Sequence, residues 1–79
     1  MEGNIKFLNG PKGYGFIESS EGDHYFTVHD IEDGVRLQQE YLNGAKDSLE
    51  NLAGADCTFD SVKGDRGLKA ENIKLIRGY

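Results

Sequence analysis

Lys12-Gly13-Tyr14-Gly15-Phe16-Ile17 places two aromatics on either side of one glycine, with a lysine ahead of them. In a β-strand, residues i and i+2 share a face, so Tyr14 and Phe16 stand side by side and Gly15 points the other way. Ile17 is then the next residue facing a core. Soluble proteins rarely turn two neighbouring rings to water unless something flat is meant to lie on them. Nucleobases are flat, and stacking one on an aromatic is worth ~1–3 kcal/mol. The spacing points to capture of a single-stranded nucleic acid. The competing reading makes Tyr14 and Phe16 barrel core, but Ile17 and the apolar residues of the following strand already supply an inner face.

The other reactive side chains form no constellation. Gly13-Tyr14-Gly15 lacks the later glycine and the following helix of a phosphate-cradling loop. His24, His29 and Cys57 have no paired metal-ligand spacing, so no metal is expected. Cys57 alternates with polar residues as a core residue would and has no assigned base, which argues against a nucleophile. Glu32-Asp33 falls in a loop and reads as surface charge. No enzyme and no cofactor are expected.

The 79 residues allow one domain, small enough to bury only about 60% of its unfolded surface. No apolar run approaches the ~20 residues that cross a membrane. The polar Met1-Glu2-Gly3-Asn4 start lacks the layout of a signal peptide. A single cysteine excludes an internal disulfide and fits a reducing compartment, so a cytoplasmic location is expected. The net charge of −5 by itself opposes a nucleic-acid partner, whose phosphates favour a basic footprint. Location tempers that. Lys6, Lys12, Lys63, Arg66 and Lys69 flank the aromatic strands or lie in a glycine-rich loop, while many carboxylates fall in turns or in the middle of the chain. Such a protein binds by stacking more than by charge.

Strands are expected over Glu2 to Asn9, Tyr14 to Ser19 and His24 to His29, joined by the turn signals Asn9-Gly10-Pro11 and Ser19-Ser20-Glu21-Gly22. Ile5-Lys6-Phe7-Leu8 does not alternate cleanly, which predicts a bulge or bend near Phe7 that can turn the ring either way. Phe26 and Val28 share one face of the third strand, and Tyr25 and Thr27 share the other. Between Val35 and Leu52 the apolar spacing becomes helical, with Asn43-Gly44 as a break, so one or two short helices are expected. Strand character returns from Gly54, with Cys57 and Phe59 inward. Lys63-Gly64-Asp65-Arg66-Gly67 makes a turn before a last strand from about Leu68 to Arg77. Five short strands with helix between the third and fourth is the order of an all-β, antiparallel oligonucleotide-binding (OB) barrel.

The chain resembles the cold-shock domain family. Gly3-Asn4-Ile5-Lys6-Phe7-Leu8-Asn9 followed by Lys12 to Ile17 looks like its first two strands and first ribonucleoprotein motif. Asp65-Arg66-Gly67, Ala70 and Asn72-Ile73 resemble its last loop and strand. The family usually has Trp-Phe where this chain has Phe7-Leu8. Its second motif, approximately valine-phenylalanine-valine-histidine-phenylalanine, fits Tyr25 to His29 in more than one register. Keeping Asp30-Ile31 in line puts Tyr25 at the aromatic position and Thr27 at the histidine position, with His29 as a substitute two residues on. The rival register makes Phe26 the outward ring but buries Thr27 and His29, which costs desolvation. A further departure is an insertion within 32 to 53.

The resemblance implies that Phe7, Tyr14, Phe16 and Tyr25 are base platforms. It also implies that Lys6, Lys12 and Arg66 contact phosphates or base edges. The implied activity is sequence-tolerant binding of single-stranded RNA or DNA and melting of RNA hairpins, as an RNA chaperone does. Lys6 and Lys12 read equally as solvated charges, and Arg66 as a partner of Asp65. The insertion reads as a cover for one end of the barrel. Alternatively it is a protein-partner or self-association surface within 35–52, using Leu37, Tyr41, Leu42 and Leu49, which would make the chain an interaction adaptor. Tyr79 is either tail or dimer contact.

Overall fold

The computed structural model describes residues 1–45, 49, 51–65 and 67–76. Five strands, β1 (Glu2–Asn9), β2 (Tyr14–Ser19), β3 (Gly22–Thr27), β4 (Asp56–Gly64) and β5 (Gly67–Leu75), close into a barrel in the order β1-β2-β3-β5-β4. The seams β1/β2, β2/β3, β1/β4 and β4/β5 are antiparallel. The β3/β5 seam, through Tyr25 and Lys69, is parallel and closes the sheet. The expected all-antiparallel sheet is corrected at that seam alone. β3 enters the helical connection and β5 leaves the β4–β5 hairpin, and the two strands run the same way.

Side-chain alternation sets the inside of the barrel. Ile5, Ile17, Phe26, Cys57, Phe59, Ala70 and Ile73 form the core with Ile31, Leu49 and Leu52. The bulge expected near Phe7 is present: Ile5 pairs with Ile17, but Phe7 pairs with Phe16, so Lys6 is the extra residue. That one-residue slip lets Ile5 stay inside while Phe7 turns out. A second irregularity lies between Thr58 and Asp60 on the β4/β5 seam. It is accommodated on β5 by Asn72 at φ 52°, a conformation asparagine tolerates, with the Asn72 amide donating to Asp60 at 2.9 Å.

The third strand is shorter than expected at its far end. It stops at Thr27, and Val28–Asp30 form a single 3₁₀ turn. The Asp30 carboxylate accepts from the Thr27 backbone N–H at 3.0 Å, taking a donor that could otherwise have served a sheet ladder. The last strand ends at Leu75, while Arg77 and Tyr79 lie outside the described residues.

A helix, α1 (Gly34–Leu42), follows the 3₁₀ turn. Gly34 is buried where the helix meets that turn, and a Cβ there would collide with the Val28 carbonyl. Leu37 and Tyr41 pack against the core. The Gln38 amide donates to the Gly10 carbonyl at 3.2 Å, and the Tyr41 ring lies over Gly10. α1 thus braces the β1–β2 turn. Leu49 and Leu52 are buried in the core, whereas Leu42 is exposed. These contacts hold α1 and the leucines after it against the barrel. Of the residues considered for a docking surface, Leu37, Tyr41 and Leu49 face the barrel and Leu42 does not. Half of the second helical stretch expected over Ala45 to Leu52 falls outside the described residues.

Candidate nucleic-acid interface

Gly15 determines what Tyr14 and Phe16 can do. It is buried against Phe26, and a Cβ in its place would run into the Phe7 carbonyl and the Phe26 ring. With no side chain below, β1 and β3 close in on β2 and bring the outer rings together. Phe7 pairs with Phe16, and Phe16 with Tyr25, so three strands each contribute one ring to a single row. Tyr14 pairs with Thr27 one step along.

The four rings make one continuous cluster. Centroids are 6.0 Å apart for Phe7–Tyr14 and Phe16–Tyr25, and 6.1 Å for Tyr14–Tyr25. Phe7–Phe16 and Tyr14–Phe16 are both at 6.4 Å. These spacings lie within the favourable range for aromatic pairs, so the rings support one another. Phe7, Phe16 and Tyr25 are nonetheless 43%, 36% and 39% exposed, against 0% for Phe26 and 2% for Phe59. Tyr14 is half-buried. The bulge therefore turns Phe7 outward, and the rings expected on the outer face are on it.

The polar residues fall around this cluster unevenly. Lys6 is exposed and lies 3.1 Å from Asp23, with both side chains about half in water. Such a surface pair is worth ~0–1 kcal/mol and is easily exchanged for a phosphate. Lys12 is exposed, and no ion pair holds it among the described residues. Thr27 is half-buried on the outer face, with its hydroxyl donating to Asp30 at 3.1 Å. Tyr25 and Thr27 point out while Phe26 and Val28 are buried, the arrangement of the first of the two registers. His29 is exposed on the 3₁₀ turn beyond the strand end, outside the ring cluster. Arg66 lies outside the described residues.

Two residues that the sequence reading left out of the site belong beside it. Lys69 pairs with Tyr25 across the parallel seam and carries the row of outer side chains onto β5. Its ammonium lies 3.7 Å from Asp30 and 3.6 Å from Glu71. Asp30 is the second. The Thr-x-x-Asp spacing of Thr27 and Asp30 is a capping signature that could have placed it. Lys69 stood out only as one of several cations near the aromatic strands, because the sequence pattern does not show which strands close a barrel.

Two of the three residues weighed as metal ligands, His24 and Cys57, are buried in the barrel. His24 is fully buried, its Nδ1 3.2 Å from the Gly22 carbonyl and its Nε2 2.8 Å from the Ser61 hydroxyl. Cys57 is buried, and that burial, with a smaller contribution from neighbouring Asp56, pushes its thiol pKa up to about 11. A thiol held protonated in this way is a poor nucleophile and a poor ligand.

A closed five-stranded OB barrel with a four-ring outer face defines a class of small oligonucleotide-binding domains. Comparison with known proteins narrows it. The family model of the 'Cold-shock' DNA-binding domain matches residues 1–76. The cold shock-like protein CspC of Bacillus cereus is 42% identical over 73 residues, covering 92% of this chain and 95% of that protein. CspB of Geobacillus stearothermophilus is 40% identical and CspD of Bacillus subtilis 37%, each covering 92% of this chain and 94% of the relative. The chain belongs to the cold-shock domain family, whose members bind single-stranded nucleic acid and are not enzymes. Among the described residues, no helix is long and apolar enough to cross a membrane.

Proposed function

We propose that this protein binds single-stranded RNA or DNA by stacking successive bases on Phe7, Tyr14, Phe16 and Tyr25, and that it acts as an RNA chaperone. The observation that carries this reading is the row of Phe7, Phe16 and Tyr25, each more than a third exposed, over a core that already has Phe26 and Phe59. Lys6 and Lys12 contact phosphates, and Thr27 contacts a base edge. The chain works as one binding domain, with 32–53 as a helical insertion that covers the barrel. Bases of any kind have a π-face, so most of the platform is tolerant of sequence. Stacking on the captured strand offsets the cost of unpairing an RNA hairpin, and no catalytic step is needed.

Titration with a short oligo-U or oligo-dT, followed by tyrosine fluorescence, tests this directly. Binding at micromolar or tighter concentration in low salt, with little affinity for duplex of the same sequence, is the expected result. Absence of binding to any single strand contradicts it.

A further inference from the structure

The ring platform ends in a polar edge whose hydrogen-bonding sense is determined by its own contacts. Thr27 lies two residues beyond Tyr25 on the same outer face, beside Tyr14. Its backbone N–H and its hydroxyl both reach Oδ2 of Asp30, at 3.0 and 3.1 Å. The Lys69 ammonium lies 3.7 Å from that same oxygen and 3.6 Å from a carboxylate oxygen of Glu71. A carboxylate only accepts, so the Thr27 hydroxyl must spend its one proton on Asp30. The bond is charge-assisted, and the hydroxyl does not readily rotate away from it. What Thr27 offers an incoming base is lone pairs alone. Lys69, by contrast, only donates.

Beside Tyr25, then, acceptors from Thr27 and Asp30 adjoin a donor from Lys69. Guanine is complementary to that order, with its O6 acceptor next to the N1–H and N2–H donors. Uracil and thymine carry a carbonyl on each side of a single N–H, so one carbonyl must face an acceptor. We propose that Thr27, its hydroxyl oriented by Asp30 and flanked by Lys69, is a base-selecting position that favours guanine over uracil or thymine in the nucleotide stacked on Tyr25. This rests on the stacking function proposed above, and it adds one selective position to an otherwise tolerant platform.

Fluorescence anisotropy with a labelled oligo-U of about seven nucleotides, within the span of an OB barrel, and with the same oligo carrying one central guanine reads the preference. The guanine oligo is expected to bind about five-fold or more tightly. Thr27→Val removes the hydroxyl at constant shape. Asp30→Asn supplies an amide that can donate to the hydroxyl oxygen and release its proton toward the base. Either substitution should bring the ratio of the two affinities close to unity, whatever it does to overall affinity. Circular dichroism checks that each variant is folded, and Asp30→Asn alone suffices if Thr27→Val is not. Equal affinities in the unsubstituted protein, tighter binding of oligo-U, or a guanine preference that survives substitution overturns the inference and leaves stacking intact. Failure of both oligos to bind overturns the stacking function and this inference with it.

Discussion

Phe16 and Phe26 are the same residue type on adjacent strands, and they have opposite fates. Phe26 is fully buried against Gly15, whereas Phe16 is 36% exposed and touches Phe7, Tyr14 and Tyr25. Phe16→Ala should weaken oligo-U binding by ~1–3 kcal/mol, the loss of one stacked base, with little change in the urea midpoint. A large loss of stability at unchanged affinity would make Phe16 a core residue instead. Cys57 gives a second test at this scale. Its folded-state pKa is pushed from an ordinary 9.0 to about 11, chiefly by burial. Between those values the folded state holds a proton that the unfolded state has lost, so stability must fall as pH rises. The contribution is fully present below about pH 9 and is lost as pH climbs through about 11. Urea unfolding at stepped alkaline pH reads this directly, and Cys57→Ser should flatten that part of the profile.

At the scale of elements, the helical connection belongs to the barrel. Leu49 is fully buried in the core while Leu42 is 63% exposed. Leu49→Ala should therefore cost ~2–5 kcal/mol in denaturant unfolding. Leu42→Ala should stay within about 0.5 kcal/mol. Equal effects would mean that the connection does not cover the barrel end. Helical spacing could show that Leu37 and Tyr41 share a face of one helix, but not whether that face meets the barrel or a partner. The strand faces were far more legible, because a period of two leaves little choice once Ile17 and Phe26 are placed inside. The broken alternation at Ile5-Lys6-Phe7-Leu8 likewise marked the bulge that turns Phe7 out. Two features were not legible for physical reasons. The parallel β3/β5 seam joins segments far apart in sequence, so nothing local pointed to Lys69 as a neighbour of Tyr25. The end of β3 at Thr27 depends on a side chain, Asp30, competing for a backbone donor.

For the whole molecule, the net charge of −5 coexists with a platform edged by Lys6, Lys12 and Lys69. Each phosphate neutralised on a single strand contributes about 0.7 to the slope of log affinity against log salt, so three cations allow a slope of about −2 or shallower. A titration series across salt concentrations checks this, and a much steeper slope would mean that charge rather than stacking dominates. The stacking function stands or falls on which surface of the closed barrel meets the bases. NMR titration of the aromatic ring protons with oligo-U measures that most directly. Ring-current shifts should concentrate on Phe7, Tyr14, Phe16 and Tyr25 and leave the core rings Phe26 and Phe59 nearly unmoved. Shifts confined to α1 around Tyr41, or none on the four outer rings, would contradict it.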